Sequence, residues 1–335
     1  MPGKKILLIS TGGTIASEKT PGGIKPSFGA GKLLELAGSA LDIDTLDLLR
    51  VDSSNMQPED WRTIARAAYS GLESHDGIVI SHGTHTMAYT AAALTFMMQN
   101  IPGPVVLTGA QVPAGESGSD GPRNLRDALM FAGDGAPGVF IVFHGKVIRG
   151  CRAVKTSTVL LDAFESINHP LVASIQGEKI TYYQRPNNPK KKPVLRTDLD
   201  NSVFLLKLVP GIEPAVLDTV PRLGFRAVVI ECFGAGGVPF TGRDLLAKIR
   251  SLVEGGTIVA LSTQCLGGGV DLTIYDVGRK SLDAGVLSGL DMTTEALVVK
   301  LMWALGRSGD RNIVTDIMNT NYAGEFTPGY SIRFS

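Results

Sequence analysis

Two small-residue turns and one lysine supply the groups this chain could use for nucleophilic chemistry. STGGTIAS at residues 10–17 and SHGTHTM at 81–87 each follow a short apolar run, and RAVKTST delivers Lys155. A threonine hydroxyl becomes a nucleophile when a nearby base takes its proton. A lysine embedded among small and apolar residues gives up its charge more easily than a surface one and can be that base. GKVIRGCRAVKTST surrounds Lys155 in this way. Thr14, Thr84, His85 and Lys155 therefore form a candidate hydroxyl-nucleophile site. The glycine turns offer backbone N–H groups to an oxyanion.

Other chemistries fit these segments less well. TGG is not part of a GxGxxG fingerprint and no GK[ST] follows it, which argues against dinucleotide and P-loop sites. His82 and His85 make an HxxH pair, but they straddle a break from strand to helix. No HExxH or Cys/His/carboxylate set completes a shell, so no metal is expected. Cys265 sits in the glycine-rich STQCLGGG turn, yet no histidine follows His169 to activate it. DSSNM at 52–56 places Ser53 and Ser54 among short polar side chains suited to gripping a carboxylate or amide. SDGPRNLRDA puts Asp120 and Gly121 ahead of a helix that starts at or after Pro122.

The elements that must position these groups alternate along the chain. Apolar, branched runs predict strands at 5–10, 48–52, 77–83, 105–110 and 139–145. Helices are expected at 30–37, from Pro58, over 84–100 with Thr84 or Ser81 near the cap, and from Pro122 to Phe131. Proline and carboxylates in the first turn mark the second of these. Such alternation implies a parallel or mixed sheet covered on both faces. Pro186, Pro189 and Pro193 interrupt it, and alternation resumes with strands at 203–211, 227–237 and 257–264 and helices near 213–220, 242–254 and 293–307. The reading is a larger mixed-sheet domain over 1–185, a linker over 186–202, and a smaller α/β domain over 203–335.

Composition limits the function classes. With 32 basic and 32 acidic side chains the formal net charge is +0, which offers no electrostatic footprint for nucleic acid or an anionic membrane. No stretch reaches the roughly 18 apolar residues of a membrane span, and ILLI near the N-terminus is too short for a secretory signal. Three widely spaced cysteines without CxxC suit a reducing compartment, so the cytoplasm is expected.

Taken in order, the motifs resemble the bacterial-type L-asparaginase family, and within it the cytoplasmic type I branch. They are TGGTIAS, DSSNMQPEDW, SHGTHTMAYTAAALTFM, VVLTGAQVP, SDG, KVIRG, DAFES, STQC, DMTTEA and GEFT, spread over nearly the whole chain. The resemblance implies a two-domain α/β fold with a Rossmann-like C-terminal domain, a mobile loop over the site, and a homodimer or dimer of dimers. It also implies hydrolysis of a small-molecule amide, L-asparagine to L-aspartate and ammonia, without any cofactor.

By the same resemblance Thr14 is the nucleophile, Thr84 the second catalytic threonine and Lys155 its base. Ser53 contacts the substrate carboxylate, Ser54 lines the pocket, and the Ala110 carbonyl helps hold the leaving amide. Two positions depart from the family pattern. An aspartate that follows the second threonine is replaced by His85, and a loop tyrosine by Ile24. The departures fit an impaired or engineered asparaginase, a hydrolase for another amide without a free α-ammonium, or a non-catalytic amino-acid-binding homologue.

Overall fold

The computed structural model describes residues 3–332 apart from residue 22 and residues 39–41; the side chains of residues 19, 20, 24 and 26 are likewise outside the description. Contacts divide the chain into two compact units, Met1–Thr197 and Asp198–Ser335.

In the first unit, β1 (Lys5–Gly12) runs into a 3-10 turn at Thr14–Ala16, and β2 (Ser17–Thr20) and β3 (Gly23–Pro26) form a small ribbon. Then follow α1 (Ala30–Ala37), β4 (Asp42–Val51), α2 (Pro58–Gly71), β5 (Gly77–Ser81) and α3 (Met87–Met97). β6 (Met98–Gln99), β7 (Pro104–Thr108), α4 (Gly121–Asp134) and β8 (Gly138–Phe143) continue the chain. The unit ends in short strands: β9 (Lys146–Arg149), β10 (Ala153–Lys155), β11 (Phe164–Ser166), β12 (Ala173–Gln176), β13 (Lys179–Tyr182) and β14 (Val194–Leu195).

Its eight-stranded sheet has the order β13-β12-β9-β8-β7-β5-β1-β4. β4, β1, β5, β7 and β8 are mutually parallel, and β9 and β12 pair antiparallel at the other side. β5 and β7 are buried along their whole length, which is why GIVIS and PVVLT read as unbroken apolar runs rather than alternating ones. α1 and α4 cover one face, where Phe131 of α4 packs with Ile6, Leu8, Val79, Val106 and Phe140 of the sheet. The C-terminal end of α2 meets the other face, where Gly71 lies so close to Leu7 and Ile78 that an added Cβ would stand 2.8 Å from both.

Taken in chain order, the parallel strands stand second, first, third, fourth and fifth across the sheet. Connections from β1 and from β5 leave on opposite sides, so a crevice opens at the carboxyl ends of these two strands. Such a switch point is where open α/β sheets bind ligands.

The second unit is wholly parallel in the order β15 (Val203–Lys207), β16 (Ala227–Cys232), β17 (Ile258–Thr263) and β18 (Leu287–Ser288). α5 (Thr219–Arg222), α6 (Leu245–Glu254), α7 (Asp276–Asp283), α8 (Thr294–Arg307) and α9 (Arg311–Asn319) surround it. Leu245, Ile249 and Leu252 of α6 pack with Val228, Ile230, Val259 and Leu261 of the sheet. α8 carries Lys300, which is fully buried with Glu325 at 2.7 Å and also donates to the Met318 and Thr320 carbonyls. The fold is the two-domain α/β arrangement expected, mixed in the first unit and Rossmann-like in the second.

Several boundaries differ from expectation. The third helix starts at Met87 with Thr86 as its N-cap, so neither Ser81 nor Thr84 caps it. Thr86 Oγ1 donates to the Ser53 carbonyl instead of capping its own helix, and residues 82–86 become a loop. Strand β4 begins at Asp42, well before residue 48, because its early residues pair with β1. The helix near 213–220 is split into a 3-10 turn at Pro214–Asp218 and the single turn of α5. Helix α4 starts one residue before Pro122. Among the described residues, no helix is long and apolar enough to cross a membrane.

Candidate active site

Glycine brings the two threonine turns together. Gly12 and Gly13 have φ of 100° and 77°, the left-handed region that glycine enters without cost. An added Cβ on Gly13 would lie 2.2 Å from Gly83 N, and one on Gly83 would lie 2.4 Å from Ser53 Oγ. The turns after β1 and β5 are thus in backbone contact, the Ser53 side chain from the turn after β4 packs against Gly83, and Thr14, Ser53 and Thr84 stand at that junction. Thr11 Oγ1 donates to the Ser81 carbonyl at 2.8 Å and ties the ends of β1 and β5. Ser17 Oγ closes the Thr14 turn by donating to the Gly13 carbonyl at 2.7 Å. Thr14 is half-buried, and its own hydroxyl bonds to no described residue.

Lys155 reaches the same place from β10. Its Nζ donates to Thr84 Oγ1 at 2.7 Å. Burial holds the Lys155 ammonium below its ordinary range, and no acid opposes that effect. Thr84 Oγ1 donates in turn to Gln111 Oε1 at 3.3 Å. Gln111 is fixed at both ends. Its Nε2 donates to the Leu160 carbonyl at 3.1 Å and more weakly to that of Ser157. Its backbone N–H donates to the Asp120 carboxylate, which also takes the Val112 N–H and the Asn124 amide.

The remaining expected residues fall around this pair. Ser53 is buried; its Oγ accepts the His85 N–H at 3.3 Å. Ser54 Oγ lies 3.0 Å from His85 Nδ1, and Asp52 pins the turn by accepting the Ser54 N–H at 2.8 Å. Ala110 is buried in the turn after β7, and its carbonyl accepts no hydrogen bond among the described residues. Ile24 lies opposite Lys19 in the β2–β3 ribbon; its side chain falls outside the described residues.

His82 is not a partner of His85. It is fully buried, 2.9 Å from Thr90 Oγ1 and 2.7 Å from the Gly83 carbonyl, so both ring nitrogens are occupied in holding the turn. Burial pushes its imidazole down to about 4, which keeps it neutral. Sequence reasoning misses Gln111, although it adjoins Ala110 in the turn after β7. Its place in that turn is the only signal, because its role depends on contacts made by folding.

A hydroxyl hydrogen-bonded to a half-buried amine, beside a second hydroxyl on a glycine turn at a switch point, can cleave an acyl bond. Comparison with known families agrees with this chemistry. The profile described as "Asparaginase, N-terminal" matches residues 5–188, and "Glutaminase/Asparaginase C-terminal domain" matches 202–318. The chain belongs to the asparaginase family. It is an asparaginase-fold amidohydrolase.

Among its relatives, the L-asparaginase of Thermococcus kodakarensis is 46% identical over 96% of this chain and 99% of its own. Its solved structure superimposes with a TM-score of 0.93. A component of the glutamyl-tRNA(Gln) amidotransferase of Metallosphaera sedula is 36% identical over 99% of this chain and 79% of its own. L-asparaginase I from Vibrio cholerae is 33% identical over 97% of this chain and 99% of its own, with a TM-score of 0.86. This chain therefore stands nearer to archaeal relatives than to the bacterial type I enzyme, and the expected placement in the type I branch is corrected. The motifs behind that placement therefore do not by themselves mark the type I branch.

Proposed function

We propose that this chain hydrolyses small side-chain amides, L-asparagine among them, through an acyl ester on Thr14. The observation that carries the reading is the 2.7 Å bond from Lys155 to Thr84, made beside the glycine junction that holds Thr14.

In this reaction Thr14 Oγ attacks the amide carbonyl carbon and its proton passes through Thr84 and neutral Lys155 to the departing nitrogen. The C–N bond breaks, ammonia leaves, and the acyl group remains on Thr14. Water then attacks the ester carbonyl, the C–O bond to Thr14 breaks, and the hydroxyl recovers its proton. Backbone N–H groups of the two glycine turns hold the oxyanion in both halves. Ser53 and Ser54 receive the substrate carboxylate, the Ala110 carbonyl receives the amide N–H, and Ile24 belongs to the ribbon that covers Thr14.

The working form is a homodimer or dimer of dimers in the cytoplasm. Val159 and Leu160, 82% and 62% exposed on the loop after Lys155, support association. Cys151, Cys232 and Cys265 are all free thiols, which suits a reducing compartment. The function is tested by ammonia release from L-asparagine by wild type and Thr14→Ala. Loss of release in the variant is expected; unchanged release removes Thr14 from its role.

A further inference from the structure

His85 is the polar side chain at this junction that the proton path does not use. It follows Thr84 directly and is seated on the Ser53–Asn55 turn through Nδ1 and its backbone N–H. Nε2 has no hydrogen-bond partner among the described residues, and the residue is exposed. His85 therefore adjoins Thr84 on one side and Ser53 and Ser54 on the other. A substrate with its amide at Thr14 and Thr84 and its carboxylate at Ser53 and Ser54 presents its α-substituents to His85.

Among the described residues, no carboxylate is hydrogen-bonded or ion-paired to Thr84, His85 or Lys155. The acids on the elements around His85 are Asp52, which holds the Ser54 N–H, Asp60, which holds the Gln57 N–H, and Glu59 in the first turn of α2. An α-ammonium entering here gives up water and meets a lysine and an imidazole, with no acid bonded to either. Burying a cation without an anion is unfavourable, whereas an acylated or absent α-nitrogen carries no such penalty.

We propose that His85 makes the site indifferent to an α-ammonium, so that side-chain amides whose α-nitrogen is acylated or absent are hydrolysed at least as well as L-asparagine. The proposal rests on the reading of Thr14 and Thr84 as the amide-cleaving pair, and its test separates the two.

Ammonia release is measured with L-asparagine, N-acetyl-L-asparagine and succinamate (asparagine without its amino group) for wild type, His85→Asp and His85→Asn. Wild type is expected to show a kcat/KM for succinamate equal to or above that for L-asparagine. His85→Asp is expected to shift the ratio toward L-asparagine by about tenfold or more, chiefly through KM, while His85→Asn keeps it within about threefold. A merely structural role for His85 would move both substrates together. A wild-type preference for L-asparagine over succinamate beyond about threefold overturns the proposal without any variant, and so does an unchanged ratio in His85→Asp. Turnover of L-asparagine alone sinks this proposal and leaves the hydrolase reading standing. Release from none of the three sinks both.

Discussion

Lys155 Nζ donates to Thr84 Oγ1 at 2.7 Å, and that oxygen donates onward to Gln111 Oε1 at 3.3 Å. The single proton of Thr84 is thus aimed at Gln111 while the lysine is charged. Once Lys155 loses a proton it can accept from Thr84, and the direction of the pair reverses. Gln111 holds the resting orientation, and in the proposed reaction the protonation of Lys155 decides whether Thr84 can act as a base toward Thr14.

Replacing Lys155 with Met should lower kcat by about 10²–10⁴-fold, the usual contribution of a positioned base. Lys155→Arg should not rescue it, because a guanidinium does not deprotonate in proteins. Burial lowers the Lys155 pKa, so wild-type activity should rise with pH along a limb below the ordinary lysine range. The limb should vanish in Lys155→Met. A pH–rate profile checks this, and an unchanged limb in the variant assigns it to another group.

Gln111→Leu keeps the bulk of the side chain and removes the acceptor. Without that bond the Thr84 hydroxyl is oriented by Lys155 alone, and kcat should fall about five- to tenfold with little change in KM, the worth of one neutral hydrogen bond. Steady-state kinetics on L-asparagine decide it. A change in KM with kcat intact would make Gln111 a substrate contact instead.

How much of this is legible in the sequence follows from how each element is held. β5 and β7 announce themselves because burial on both faces requires unbroken apolar runs. α1 is visible over its whole length at 30–37. KVIR, AVK and FES are not, since strands of three or four residues carry no periodic signal. Lys155 is aimed by the pairing of β10 with β11, where it stands opposite Phe164, and that register is a tertiary fact. Residues 84–86 read as the start of a helix because they run directly into MAYTAAALTF, which has good helix formers; side-chain bonds from Thr84 and Thr86 to other elements hold them in a loop instead. Thr14, Thr84 and Lys155 can be chosen by residue type and resemblance, whereas Gln111 is apparent only once Ser157 and Leu160 fold over it.

His82 predicts a window of acid sensitivity. Its folded pKa of about 4 lies below the unfolded 6.5, so the unfolded chain binds a proton first as pH falls. Stability from this group is complete above pH 6.5 and is lost progressively down to about pH 4, by about 3 kcal/mol in all. Melting temperatures across that window should fall less steeply in His82→Asn than in wild type. Parallel slopes would show that His82 does not carry the effect.

The Lys300–Glu325 pair predicts non-additive stability. Both side chains are fully buried, and Glu325 also accepts the Tyr322 and Ala323 N–H groups. Lys300→Met leaves a buried carboxylate without its cation and should cost about 3–5 kcal/mol. Adding Glu325→Gln should recover part of that loss, because it removes the stranded charge. Denaturant unfolding of the two singles and the double measures it; strictly additive losses would contradict the account.

The central claim is that the acyl group passes through Thr14 and not through Thr84. Rapid acid quench during turnover of L-asparagine, followed by peptide mapping with mass spectrometry, addresses it directly. The account predicts an aspartyl adduct on the peptide containing Thr14, absent from Thr14→Ala and diminished when Lys155→Met slows the attack of Thr14. An adduct on Thr84, or steady turnover with no adduct on either threonine under conditions that trap acyl esters, would contradict it.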